Sequence, residues 1–212
     1  MSDDFLLHQP AADTPDPELL LLFHGVGAQA EDLRPLGEAL AVHRPQAWVI
    51  SVQAPHPSDL GRGRQWFSVQ GVTEANRPAR VAAAMPAFLD AVAGWQHQAQ
   101  VAAGRTTLVG FSQGAIMALE STQIEPMQPA VAARVVALAG RFASPPRQAP
   151  AGTVIHLLHG DQDPVMPVAL AVEADRALRA LGARSTLDRF PGLGHGIDGR
   201  VLRALLDRLG EA

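Results

Sequence analysis

Gly110-Phe111-Ser112-Gln113-Gly114 is a serine held between two glycines at the spacing G-x-S-x-G. It follows a strand-like run, Thr106 to Gly110, and precedes a helix-like run, Gln113 to Gln123. A turn that tight leaves no room for side chains two residues either side of the serine, which accounts for the glycines. Ser112 would project at a helix N-terminus, where the dipole favours negative charge forming nearby. The chemistry implied is attack of an activated hydroxyl on a carbonyl carbon. The rival reading is an ordinary glycine-rich strand–helix turn, which the flanking elements make the weaker one.

A serine nucleophile needs a base, and the base needs an acid to orient it. After Ser112, histidine occurs only at 156, 159 and 195. His195 lies in Gly192-Leu193-Gly194-His195-Gly196, between the last strand-like and the last helix-like segment, and is the expected base. His156 falls mid-strand and is expected to pack within the sheet; His159 ends that strand beside Gly160 and is expected to support the turn. The segment His159-Gly160-Asp161-Gln162-Asp163-Pro164-Val165-Met166-Pro167 offers two acids. Asp163 is favoured, with Pro164 fixing the backbone beside it, and Asp161 is read as a surface turn residue.

A second glycine turn, Gly25-Val26-Gly27-Ala28-Gln29-Ala30, ends the apolar run Leu19 to Phe23 and fits the dinucleotide pattern G-x-G-x-x-G/A. That pattern requires an acidic residue at the end of the second strand, about 20 residues on, for a ribose hydroxyl. The region reads Val49-Ile50-Ser51-Val52-Gln53-Ala54, without Asp or Glu. The missing acid removes the dinucleotide reading; the stretch His24-Gly25-Val26-Gly27 instead resembles the oxyanion loop of an esterase, which would serve the Ser112 site with His24 as a brace.

These residues must be positioned by alternating strands and helices. Strands are expected at Leu19–Phe23, Ala47–Val52, Thr106–Gly110, Val135–Ala139, Val154–His159 and Ser185–Phe190, and helices at about 31–43, 74–97, 113–123, 167–181 and 199–209. In the long helix Val81, Met85, Phe88, Val92 and Trp95 step by three or four, around an internal Pro86. Alternation of this kind implies an α/β fold with a mostly parallel sheet and helices on both faces. Residues 1–17, polar and proline-bearing, are expected to be a loose lead-in with a short edge strand at Phe5–His8; residues 18–212 form one domain. The long loop from Pro55 to Val72 carries the pair Trp66-Phe67.

Gly110-Phe111-Ser112-Gln113-Gly114, the His159-Gly160-x-x-Asp163-Pro-Val-x-Pro167 segment, Gly194-His195, His24-Gly25-Val26-Gly27 and Arg64-x-Trp66-Phe67 together resemble the phospholipase/carboxylesterase family. These are small single-domain α/β-hydrolases that include bacterial serine esterases and acyl-protein thioesterases. The resemblance runs from about Leu19 to the C-terminus. It implies Ser112 as nucleophile, Asp163 as acid and His195 as base, with the backbone N–H groups of Val26 and Gln113 as the oxyanion hole. Trp66 and Phe67 would wall the acyl site, and Met166 would contribute to it. Many relatives have Asp where Ser68 follows Trp-Phe, Gly in place of Ala115, and Val in place of Met166, departures that bear on pocket shape.

Composition narrows the alternatives. The chain has 212 residues, is 47% hydrophobic and carries a net charge of -4, so nothing in it asks for nucleic acid. It contains no cysteine and no lysine, which excludes disulfides, thiolate chemistry, Schiff bases and the phosphate-loop lysine. No cofactor or metal is expected. No apolar run approaches the roughly 20 residues of a membrane span. The acidic start, Met1-Ser2-Asp3-Asp4, is unlike a secretory signal, so a cytoplasmic location is expected. The expected substrate is a small ester with a short to medium acyl group. Competing readings are a thioesterase and a non-catalytic ligand-binding protein of the same fold; the oligomeric state is open, a homodimer included.

Overall fold

The computed structural model describes residues 3–124 and 130–210; Met1 and Ser2 of the acidic start lie outside them. In chain order the strands are β1 (Phe5–His8), β2 (Glu18–Phe23), β3 (Ala47–Val52), β4 (His56–Pro57), β5 (Arg64–Gln65), β6 (Thr106–Phe111), β7 (Arg134–Leu138), β8 (Val154–Gly160) and β9 (Ser185–Phe190). The α-helices are α1 (Arg34–His43), α2 (Arg77–Ala99), α3 (Gln113–Glu120), α4 (Ala169–Ala180) and α5 (Gly199–Gly210). Seven strands form one sheet in the order β1-β3-β2-β6-β7-β8-β9. All neighbours are parallel except β1, which runs antiparallel along the edge of β3.

The apolar run of β2 is buried along its length because both faces are covered. Leu19, Leu21 and Phe23 join one core with residues of α2, α3 and α4, whereas Leu20 and Leu22 join the other with residues of α1 and α5. The period of two thus divides one hydrophobic segment between two helix layers. Every residue of α3 is buried, as befits a helix packed against the sheet centre and covered by its neighbours.

Sequence and structure differ mainly at element ends. The long helix begins at Arg77 rather than near Glu74. Thr73 and Asn76 instead exchange side-chain-to-backbone hydrogen bonds of 2.8 and 3.3 Å, and Pro78 occupies the first helical turn, where proline is tolerated. The helix expected over 113–123 tightens into a 3-10 turn at Ser121–Gln123. The pairing of β4 with β5 inside the 55–72 loop is new, and two residues per strand are too few for any periodicity to register. Within the lead-in before residue 18, a strand stands at Phe5–His8, where the edge strand was expected, and residues 4–8 are tied down. β1 pairs with β3, and the Asp4 carboxylate accepts from the Gln53 N–H at 2.8 Å and the Trp95 indole N–H at 2.7 Å. An edge strand plus a partly buried charge-assisted pair fixes this stretch to the domain.

Chain order reverses between β2 and β6: from β2 the chain moves outward to β3, then returns to place β6 on the other side of β2. Ligands of open α/β sheets bind outside the carboxyl ends of the strands at such a reversal. The turn after β2 and Ser112 after β6 emerge there side by side.

Candidate active site

Ser112 follows the last residue of β6 with φ 53° and ψ -114°, a backbone conformation that costs roughly 1–3 kcal/mol for a residue with a side chain. Neighbouring packing enforces it. A Cβ on Gly110 would lie 2.5 Å from the Ala115 backbone, and one on Gly114 would lie 2.2 Å from the Phe23 carbonyl oxygen. The two glycines therefore let α3 start directly against β6 and β2. The Ser112 N–H is held by the Leu138 carbonyl at 3.0 Å.

Three loops converge on this serine. The Ser112 hydroxyl lies 2.9 Å from His195 Nε2, and His195 Nδ1 lies 2.7 Å from Asp163 Oδ2. Because a carboxylate only accepts, Nδ1 carries the proton and Nε2 is left to accept from the Ser112 hydroxyl. The other Asp163 oxygen accepts the Val165 and Met166 N–H groups, each at 2.8 Å. Burial works against the Asp163 charge, but the Met166 N–H, the His195 imidazole and the Val165 N–H outweigh it and hold the pKa below the ordinary carboxylate value. The His195 ring packs against Phe111, with centroids 5.1 Å apart. Asp161 is engaged elsewhere, pairing with Arg189 at 2.7 Å, as a surface turn residue would.

The Gly25–Ala28 turn lies beside Ser112: a Cβ on Gly25 would stand 3.1 Å from the Ser112 Cβ. Two backbone bonds to Arg64 hold the turn, from the Gly27 N–H at 3.0 Å and to the Ala28 carbonyl at 2.8 Å. Gly27 has φ 84°, and a Cβ on Gly63 would lie 2.1 Å from the Gly27 carbonyl oxygen, so both glycines are needed for this close approach. His24 is buried; its Nδ1 lies 2.8 Å from the Gly25 carbonyl, and its Nε2 accepts the Ala54 N–H at 3.1 Å. Burial holds its pKa below the ordinary imidazole value, so the ring is neutral and both nitrogens have defined roles. At the dinucleotide-acid position, Gln53 uses its side-chain oxygen to accept the Ala30 N–H at 2.6 Å. Gln113, the first residue of α3, presents a backbone N–H without an intrahelical acceptor.

The expected acyl-wall residues divide. Trp66 is 2% exposed, and its ring packs against Phe23 and Phe88 at centroid distances of 6.1 and 5.1 Å. In this position it anchors the long loop in the core and offers almost no surface to a ligand. Phe67 belongs to the same core, and Met166 is half-buried against it. Two sequence departures also have structural explanations. The Ser68 hydroxyl donates to Asp59 at 2.6 Å, closing the loop on itself. Ala115 is fully buried, and a Cβ on Gly140 would lie 2.3 Å from its methyl, so the added methyl is matched by a glycine opposite.

Some supporting residues escaped the sequence reading. The Gln113 side chain bridges the Trp66 N–H at 2.7 Å and the Phe67 carbonyl at 2.8 Å, joining the Ser112 turn to the long loop. Arg141, just past β7, grips Glu74 through both guanidinium nitrogens at 2.9 and 2.6 Å. Hydrogen bonds and ion pairs from Arg141 and Arg77 lower the Glu74 pKa to about 2. No local sequence signal pairs residues 67 positions apart. Among the described residues, no group of three or more His, Asp or Glu side chains could hold a metal ion, and no helix is long and apolar enough to cross a membrane.

A parallel sheet carrying a strained serine elbow, with Asp and His on later loops at the same sheet edge, defines an α/β-hydrolase of esterase type. The family described as phospholipase/carboxylesterase matches residues 10–210, and the chain belongs to it. It is 49% identical over 207 residues to Esterase YpfH of Escherichia coli (strain K12), covering 98% of this chain and 87% of that protein. The crystal structure of esterase PE8 superimposes with a TM-score of 0.84 at 28% identity, covering 97% of this chain and 98% of that one. The Bacillus cereus carboxylesterase shares the fold, with a TM-score of 0.79 at 20% identity over 99% and 94% of the two chains.

Proposed function

We propose that this esterase-type α/β-hydrolase is a serine carboxylesterase that cleaves short to medium acyl esters through an acyl-enzyme on Ser112. The observation that carries the reading is the unbroken hydrogen-bonded line from the Ser112 hydroxyl through His195 to Asp163, at 2.9 and 2.7 Å. His195 Nε2 takes the hydroxyl proton as Oγ bonds to the ester carbonyl carbon. The oxygen of the tetrahedral intermediate is stabilised by the backbone N–H groups of Val26 and Gln113. Imidazolium then protonates the departing alcohol as the carbon–oxygen bond breaks. Water, deprotonated by the same imidazole, attacks the acyl-enzyme; the serine leaves and recovers its proton, releasing the acid. Asp163 stays ionised throughout and stabilises the imidazolium.

The half-buried Met166 and the apolar residues beside it favour an uncharged acyl group. We place the enzyme in the cytoplasm, acting on a small-molecule ester without cofactor or metal. The test is a p-nitrophenyl ester series from acetate to laurate, run beside acyl-thioester substrates. The reading requires a maximum kcat/KM at short to medium esters and loss of that activity in Ser112→Ala. A higher kcat/KM on every matched thioester would replace the carboxylesterase reading with thioesterase. Unchanged hydrolysis in Ser112→Ala would remove the serine from the mechanism.

A further inference from the structure

Asp163 touches two imidazoles. Besides His195, the ring of His159, from the end of β8, stands 3.3 Å from Asp163 Oδ2 through its Nε2. Both side chains are shut away from solvent, at 1% and 0% exposure. The same Nε2 lies 2.7 Å from the Met166 carbonyl oxygen. A carbonyl oxygen only accepts, so Nε2 carries a hydrogen and donates it mainly to Met166, with Oδ2 as a second, longer acceptor.

That bond closes a small clamp around the acid. The Met166 N–H donates to Asp163 Oδ1 while the Met166 carbonyl accepts from His159. Holding residue 166 therefore holds the donor that orients the carboxylate. The backbone on the other side is equally tight: a Cβ on Gly160 would lie 2.4 Å from the Leu193 carbonyl oxygen and 2.5 Å from that of Gly194, next to His195. The Gln162 N–H donates to that Leu193 carbonyl at 2.9 Å. His159 thus sits where the acid loop and the base loop meet the end of β8.

We propose that His159 is a positioning residue of the reaction, its Nε2–H clamping Met166 and Asp163 so that Oδ2 stays aimed at His195 Nδ1. This rests on the proposed Ser112–His195–Asp163 mechanism. Its role goes beyond supporting a turn, because an N–H lost at position 159 loosens the acid without touching serine, base or substrate.

Gln and Met separate the two roles. Gln places an N–H near the position of the imidazole Nε2; Met fills similar volume without a donor. In His159→Met, kcat for p-nitrophenyl butyrate is expected to fall tenfold or more with KM changed less than threefold. The acidic limb of the kcat/KM profile moves to lower pH, because a loosened carboxylate stabilises the His195 imidazolium less. His159→Gln recovers kcat to within about threefold of the parent and restores the limb. Thermal melts and circular dichroism at the assay temperature establish that both variants are folded. Melting temperatures that fall in both variants with kcat within twofold of the parent and an unmoved limb would overturn the proposal, leaving His159 a packing residue. A limb that moves upward would overturn it as well, since it would mean that the N–H acts only as a dipole opposing the carboxylate charge. Fluorophosphonate labelling of the parent enzyme in the same series separates this from the parent mechanism: an unlabelled Ser112 faults the mechanism, whereas a labelled Ser112 with an indifferent position 159 faults only the clamp.

Discussion

Replacing Asp163 by Asn removes one charge and leaves the volume unchanged, and the surrounding donors dictate the response. Oδ1 receives two backbone N–H groups, from Val165 and Met166, each at 2.8 Å. An amide NH2 in that place would set donors against both, so the Asn carbonyl must take the Oδ1 position. Its NH2 then occupies the Oδ2 position, 2.7 Å from His195 Nδ1 and 3.3 Å from the His159 N–H. His195 Nδ1 must now accept, which moves its proton to Nε2, the atom that has to take the proton of Ser112. The nucleophile faces a donor in the wrong tautomer, and the imidazolium loses its counter-charge. The expected loss in kcat is roughly 10⁴-fold, the size associated with this tautomer error. At 1.36 kcal/mol per decade that is about 5.4 kcal/mol of barrier. Steady-state hydrolysis of p-nitrophenyl butyrate reads it, with a thermal melt to establish folding. Asp161→Asn, which breaks only the exposed pair with Arg189, is the matched control and should stay within twofold. A folded Asp163→Asn enzyme within tenfold of the parent, or a larger loss at Asp161, would refute the reasoning.

Other perturbations follow from the same geometry. Val26→Ala keeps most activity because only the backbone N–H is used, while Val26→Pro deletes that donor and should cost about 10²–10³ in kcat; equal effects from the two substitutions would remove Val26 from the oxyanion hole. Gly114→Ala drives a Cβ to 2.2 Å from the Phe23 carbonyl. Overpacking of that kind costs about 3 kcal/mol or more, a fall of roughly 6–12 °C in a melting scan. The depressed pKa of His24 means that the unfolded chain binds a proton the folded one resists. Its contribution to stability is complete above the unfolded value of 6.5 and declines as pH falls through the folded value. Urea melts between pH 7.5 and 5 should therefore show a steeper loss in the parent than in His24→Gln.

Much of this candidate site was legible because each loop that meets at Ser112 has a sequence mark of its own. Ser112 is framed by glycines that the packing of α3 on β2 and β6 demands, and His195 and Asp163 each follow a recognisable strand. The strands β2, β3 and β9 could be bounded closely because each reads as a compact segment between turn residues, although β9 is only partly buried. The burial of Trp66 was not legible, because an aromatic in a long loop gives no sign of which way it faces. Its ring is claimed by Phe23 and Phe88, residues 43 and 22 positions away in the chain. The bridge from Gln113 to Trp66 and Phe67 and the contact of His159 with Asp163 were equally silent, since side-chain direction at a strand end depends on the loops that arrive there.

The central claim is that Ser112 is the nucleophile and that His195 activates it. Reaction of the folded enzyme with a fluorophosphonate, followed by peptide mass mapping, tests it most directly. The account predicts a single stoichiometric adduct on Ser112, absent in Ser112→Ala and formed at least 100-fold more slowly in His195→Ala, by about the contribution of a positioned general base. An adduct on another residue, or folded enzyme that stays unlabelled while it hydrolyses ester, would contradict it.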